Sequence, residues 1–414
     1  MNAIWVLMGL LLLSYIGSLL VGGRAARGGL ASGAEYVVLG FVIGPTALGL
    51  IQRSMLEAFQ PVASVALGWL AFVFGLTHGV AGGRSIRAGR LVGGWTISLV
   101  SAAAVGGVAW LVLAWLAPVD GIDRVLVAGG IGAACAETTR YAVRWVVLRY
   151  AASGPLSELV GDLSESADEV VPLLAVAALF ALRPAIERPA AVPVLAWAAI
   201  TLGLGATLGA MGALLLGKTL RQGETWGVLL GTSMLAIGMS WRLGLATIAS
   251  LFAMGAALSA LSPHRAQLCT MVVRTERPVL LPALVLAGAH VHFGGGRHVP
   301  WLVAGAIATR VLVKWVVGLV LVSALPRARP AGRLLGLGLT SAGALAMSIG
   351  LAFAIRFPGP IGDAVLATAA VATVVGEILG PASLRAALKR AGEIGEGPPR
   401  SIDAAARGET GAGA

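Results

Sequence analysis

The sequence predicts an all-α protein that crosses a membrane about thirteen times. Three observations carry this. Hydrophobic residues make up 57% of the 414 positions and charged residues 12%, where a soluble globular domain carries about 25% charged residues. The apolar runs are long enough to cross hydrocarbon, which takes roughly 20 residues each. Glycine occurs 58 times, which suits close helix packing and interrupted helices inside a bilayer.

The runs fall at 3–22, 34–52, 58–79, 91–117, 123–150, 156–184, 190–216, 224–240, 243–262, 276–293, 299–325, 331–356 and 362–388. Residues 1–21 have no basic leader and no small-residue cleavage site, so they read as the first membrane helix. Loop charge sets the orientation. Arg24 and Arg27 fall in the first loop, then Arg84, Arg87 and Arg90 in the third, and Lys218 and Arg221 in the seventh. Arg265, Arg274 and Arg277 fall in the ninth, and Arg327, Arg329 and Arg333 in the eleventh. Even loops are poor in basic residues or offset by acids such as Asp120 and Asp123. Odd loops and the C-terminus are therefore expected in the cytoplasm, with the N-terminus outside an inner, multi-pass membrane. The net charge of +11 has the same origin, and no basic block with interleaved aromatics points to nucleic acid. The tail at 392–414 is rich in Gly, Pro and charge and reads as disordered.

Two spans carry internal interruptions. The fifth holds Gly129, Gly130 and Gly132 and then the polar run Glu137, Thr138, Thr139. The twelfth holds Gly336 and Gly338 and then Thr340, Ser341, Ala342 and Gly343. They stand seven helices apart, so helices 1–6 and 8–13 read as two inverted six-helix repeats joined by helix 7. A matched pair of interrupted helices points to a transport site, whereas either alone is equally well a patch of tight small-residue packing.

Charge deep in a bilayer costs at least ~2.5–3.5 kcal/mol per residue, so such residues are functional candidates. Asp168 and Glu169 fall near the middle of the sixth span, and Pro172 removes the hydrogen bond that the carbonyl of Asp168 would accept. A carboxylate pair beside a free backbone oxygen suits a hard monovalent cation. Two adjacent acids raise each other's proton affinity, so one can trade a proton for the cation. Glu158, Asp162, Glu165 and Glu169 recur at spacings of 4, 3 and 4, one helix face that also fits a solvated or salt-bridged stripe. Lys314 and Arg310 lie one turn apart inside the eleventh span, and pairing of Lys314 with Asp168 solves its burial. A structural salt bridge would satisfy the same residues. Arg140 and Arg144 share a face of the fifth span and are expected to pair with the acidic stripe. Glu377 in the last span is a further buried acid, of accessory or structural role. Cys135 and Cys269 have neither metal nor disulfide spacing, and His290, His292 and His298 do not form a zinc pattern. No nucleophile elbow, phosphate loop or metalloprotease motif is present, so neither an enzyme nor a cofactor is expected.

Residues 35–51, EYVVLGFVIGPTALGLI, resemble the GxxxGPxxLGL segment of the cation:proton antiporter superfamily, in its Kef-like sodium/proton exchanger branch. Residues 63–79, with Phe72, Val73, Phe74, Gly75 and Leu76, are similar to its FxxGL helix, and 381–393, PASLRAALKRAGE, to its ending. Order and spacing of the three carry the resemblance over nearly all of 1–392. It implies the sodium/proton antiporter fold: a core bundle (91–184 and 299–391) with two crossed discontinuous helices, and a dimerisation scaffold (1–90 and 190–293). It implies a homodimer that exchanges sodium or potassium for protons. Asp168 and Glu169 match the helix-6 acid pair of that family, Lys314 its core basic residue, and Thr138 and Thr139 its polar crossover. Arg140 and Arg144 depart from the usual apolar half-helix, Glu169 stands where aspartate is usual, and the tail is too short for the cytosolic nucleotide-binding domain of gated relatives. Two other readings stand beside exchange: a non-transporting sensor on the same scaffold, and an anion transporter using half-helix N-termini and Arg140.

Overall fold

The computed structural model describes residues 33–81, 84–116, 121–167, 169–184, 192–217, 222–293, 296 and 298–395. The expected span 3–22, Asp168 and the tail from 396 lie outside the described residues. Apart from one two-residue hairpin, β1 (Val80–Ala81) with β2 (Arg84–Ser85), the elements are helical.

In chain order the helices are α1 (Ala34–Ile43), α2 (Arg53–Thr77), α3 (Ala88–Leu116), α4 (Gly121–Ala136) and α5 (Arg140–Arg149). Then come α6 (Pro155–Ala167), α7 (Val170–Leu182), α8 (Val194–Leu216), α9 (Gln222–Arg242) and α10 (Thr247–Leu261). The last are α11 (Arg265–His290), α12 (Val299–Ala324), a 3-10 turn (Arg329–Leu334), α13 (Leu335–Gly338), α14 (Ala344–Arg356) and α15 (Pro360–Arg390). Twelve of the thirteen expected spans have a counterpart among the described residues. Five helices, α2, α3, α8, α12 and α15, are each long and apolar enough to cross a bilayer.

The expected interruptions are present, between α4 and α5 and between α13 and α14. Three expectations need correction. Among the described residues the sixth span is two helices, α6 and α7, and Pro172 lies in the first turn of α7, where its missing amide is tolerated. The tenth helix begins at Arg265 rather than 276, so Arg265, Arg274 and Arg277 lie within a helix and not in a loop. Residues 392–395 are not free tail: the Glu393 carboxylate accepts from the amides of Leu156 (2.6 Å) and Ser157 (2.7 Å) and caps α6.

Helices pack in two groups. In the first, α10 packs on α2 and α8, and α11 on α1 and α2. In the second, α3 packs on α4 and α12, and α15 on α14, α4 and α13. The groups meet where α7 packs on α8 and α11 on α14. Small residues set the closest approach: a Cβ on Gly75 would lie 2.0 Å from the Phe252 carbonyl, and one on Gly255 2.2 Å from that of Phe72. The outer faces are apolar, with Trp115 87%, Leu214 82% and Leu195 79% exposed. Such a surface suits lipid tails rather than water.

Candidate functional site

The two interruptions meet. The amide of Thr139 donates to the carbonyl of Ser341 (3.0 Å), joining the non-helical link 137–139 to the link 339–343. Two glycines of α15 make room for the second link. A Cβ on Gly376 would lie 2.6 Å from the Thr340 carbonyl, and one on Gly380 would overlap the Ser341 hydroxyl. Ser341 Oγ donates to the Gly376 carbonyl at 3.4 Å.

Breaking a helix inside a bilayer strands carbonyls at one end and amides at the other, with partial negative and positive charge respectively. Here three of the four ends, those of α4 and α13 and the start of α14, meet an opposite charge. Arg310 of α12, 1% exposed, donates to the carbonyls of Cys135 and Glu137 (2.7 Å to the latter) at the end of α4. The same guanidinium reaches Thr340 (3.1 Å) and Ser341 (3.1 Å) after α13. Lys314, fully buried, donates to the Ala136 carbonyl (3.3 Å) and Thr138 Oγ1 (2.5 Å). Glu137, fully buried, accepts from the amides of Gly343 (3.0 Å) and Ala346 (2.6 Å) and caps the start of α14. Glu137 Oε1 and Thr139 Oγ1 are buried with no hydrogen-bond partner among the described residues.

A second cluster starts one residue beyond Thr139. Arg140 opens α5, the end of a helix where a cation is disfavoured. Acids surround it: Glu169 at 2.6 Å, Glu276 at 3.3 Å and Glu165 at 3.4 Å. Its guanidinium lies over the Phe74 ring at 5.1 Å and donates to Thr77 Oγ1 at 3.2 Å. The other oxygen of Glu169 meets His78 Nδ1 at 2.9 Å. The Tyr141 hydroxyl donates to Glu276. Further along the acidic stripe, Arg90 of α3 pairs with Asp162 and lies 3.4 Å from Glu158.

The expected pairing of Arg140 with the stripe is thus present, whereas Arg144 is exposed one turn on. Lys314 and Arg310 bind the interruptions; the expected partner of Lys314, Asp168, lies outside the described residues. Glu377 is buried on α15 beside Gly376. Sequence reading did not single out His78, Tyr141 or Glu276. Glu276 stands at the start of the expected span between Arg274 and Arg277; two prolines, Pro278 and Pro282, within two turns after it were the available signal.

No family model and no curated protein matches the chain. Among solved structures it is similar to the sodium proton antiporter MjNhaP1 from Methanocaldococcus jannaschii at pH 8, with a TM-score of 0.66 at 16% identity over 93% of this chain and 99% of that one. An electron-microscopy structure of the same antiporter gives 0.64 at 16% identity, covering 96% and 100%. At this identity the likeness is one of fold, and the architecture described above is shared with that antiporter.

Proposed function

We propose that the chain exchanges a monovalent cation, sodium or potassium, for protons by alternating access. The observation that carries this reading is the crossing of two interrupted helices, with the ends of α4 and α13 and the start of α14 each met by a buried charge, in a fold shared with a sodium proton antiporter. Within it, Asp168 and Glu169 are the pair for which cation and proton compete, and Thr138, Thr139 and Glu137 are the polar groups beside them. Glu169 is held by Arg140 and His78, so a cation entering there displaces an internal positive charge rather than water. The second helix group, 91–184 with 299–391, is the moving core, and 1–90 with 190–293 the scaffold of a homodimer in the inner membrane. The N-terminus faces outward and the C-terminus the cytoplasm. The Kef-like branch is the family this reading favours, and it requires no cofactor and no enzymatic step.

The test is proton flux in proteoliposomes, with a pH-sensitive dye reporting whether sodium, lithium, potassium or rubidium dissipates an imposed gradient. Cation-dependent flux that disappears in Asp168→Asn with Glu169→Gln is the expected result. Flux that persists in that folded variant removes the acid pair from the mechanism. One observation favours a second reading. Arg140 already neutralises Glu169, as a locked, non-transporting scaffold would require. Folded wild type that shows no flux with any cation selects it, and anion-dependent flux without a cation requirement selects an anion transporter.

A further inference from the structure

We infer that the end of the second helix group where α5, α15 and the turn at Arg329–Leu334 meet is a binding surface for anionic phospholipid headgroups, centred on Arg385. The inference rests on the chain lying in a bilayer and not on the exchange reading.

The surface is one built unit. Val143, Val146, Ala331, Leu335, Leu384 and Leu388 share a buried cluster that joins α5, the turn and α15. Exposed cations stand around it on all three elements: Arg144 on α5, Arg329 and Arg333 on the turn, and Arg385, Lys389 and Arg390 on α15. None of the six forms an ion pair among the described residues, whereas Arg90, Arg140 and Arg183 are all paired with acids. Two acids beside the surface are turned to other partners. Glu158 lies 3.4 Å from Arg90, and the Glu393 carboxylate is held on the amides of Leu156 and Ser157. Clustered cations of one sign repel one another, and a negative surface outside the chain satisfies them.

The outer face of α15 matches the shape of a lipid. Ile378, Ala382, Arg385 and Lys389 recur at spacings of 4, 3 and 4 and are all exposed, so they share one face of the helix. The face is apolar at Ile378, which is 64% exposed, and basic at Arg385 and Lys389. Seven residues separate Ile378 from Arg385, about 10 Å along the axis. A phosphate at Arg385 with an acyl chain against Ile378 fits that grading, and a free phosphate or an acidic peptide leaves the apolar half unused. Arg144 and Arg385 each lie five residues inside the end of their helix, a depth of about 7–8 Å that corresponds to a headgroup layer. Positive charge in the loops alone would not place them there.

Aromatic rings hold the arginines at this level. The Arg385 guanidinium lies over the Tyr150 ring at 4.7 Å and that of Arg149 over Trp145 at 5.1 Å, and the two rings meet edge-on at 6.5 Å. Tyrosine and tryptophan settle at membrane interfaces. A guanidinium over a ring keeps its N–H donors, and its planar fork matches a phosphate. The far end of the same helix group is built differently: Asp123 pairs with Arg183, and Asp363 lies in the first turn of α15. In the orientation proposed above the basic surface faces the cytoplasmic leaflet. It lies wholly on the group that exchange requires to move.

The test is a native mass-spectrometry titration of the full chain in detergent, with phosphatidylglycerol and with phosphatidylcholine of the same acyl chains. It needs no transport, so its result stands whether or not exchange is found. Wild type is expected to bind phosphatidylglycerol about tenfold more tightly or better. Arg385→Gln is expected to weaken that binding about fivefold, and Arg385→Gln with Lys389→Gln about 25-fold, with phosphatidylcholine unchanged. Lys389→Gln alone leaves the Tyr150 contact in place and is expected to weaken it about fivefold. Arg53→Gln removes an exposed arginine at the far end of α2 and is expected to change neither lipid. Equal binding of the two lipids by wild type overturns the proposal, and so does unchanged phosphatidylglycerol binding in the double variant. Complete displacement of phosphatidylglycerol by inorganic phosphate at equal concentration makes this a free-phosphate site and overturns the lipid. Phosphatidylglycerol binding that emerges only in Glu396→Gln with Asp403→Asn and Glu409→Gln assigns the surface to the chain's own acidic residues and overturns it as well.

Discussion

Glu137 and Arg140 are three residues apart, yet they belong to two charged regions built on opposite rules. At the crossing, charges face backbone: Arg310 and Lys314 sit on carbonyl ends and Glu137 on an amide end, as helix dipoles favour. In the cluster around Arg140, charges face one another, and the arginine sits at a helix start, against the dipole. The difference teaches which part is fixed and which can move. A charge that replaces missing backbone hydrogen bonds cannot leave without unfolding the link it caps. An ion pair shared among Glu165, Glu169, Glu276 and His78 has alternatives, so it can be exchanged one partner at a time.

The largest expected effect comes from breaking the crossing. Arg310→Met leaves the carbonyls of Cys135, Glu137, Thr340 and Ser341 without this donor in a dry interior. Removing one side of a buried charged network costs about 3–5 kcal/mol. Thermal unfolding in detergent is expected to shift down sharply, with flux lost as a consequence. Arg310→Lys is expected to recover part of the stability, because an ammonium lacks the planar fork that serves two helix ends at once. A variant as stable as wild type would mean that other groups satisfy these carbonyls.

The crossing was legible in the sequence because it announces itself in composition. Glycines followed by Glu137, Thr138 and Thr139, and by Thr340 and Ser341, interrupt otherwise apolar runs at matched positions. Lys314 and Arg310 stood out as cations in an apolar span, although their partners turned out to include backbone carbonyls, which no side-chain pattern records. The second cluster was half legible. The acidic stripe and Arg140 pointed to each other, but His78 and Glu276 lie at the edges of apolar runs and carry no pattern that links them to the stripe. What brings them together is the depth of α11, which begins eleven residues before the apolar run does, and long-range packing of that kind leaves no local periodicity.

A middle-sized effect tests whether the crossing is rigid by shape as well as by charge. Gly380→Ala places a methyl on the Ser341 hydroxyl and 3.0 Å from its amide. Overpacking of this kind costs about 1–3 kcal/mol, and the backbone on the facing side has little room to retreat. The expected outcome is a lower melting temperature with a smaller loss than in Arg310→Met, and weaker flux from the protein that remains folded. A silent Gly380→Ala would mean that the link at 339–343 is plastic, and would move the fixed part of the comparison elsewhere.

The smallest effect is expected from Asp123→Asn, and it sharpens the comparison as a control. Asp123 pairs with Arg183 at 2.6 Å, a shorter contact than His78 to Glu169, but the side chains are 29% and 56% exposed. Water screens such a pair, and its loss is worth about 0–1 kcal/mol. Both residues belong to the second helix group, so the pair does not cross the boundary. Melting temperature and the pH profile of flux are therefore expected to match wild type. If Asp123→Asn lowered the melting temperature as far as Arg310→Met is expected to, loss of any ion pair would be enough, and burial at the crossing would not matter. If it leaves the melting temperature unchanged while Arg310→Met lowers it, a buried charge on stranded backbone, and not charge pairing as such, is what holds the crossing together.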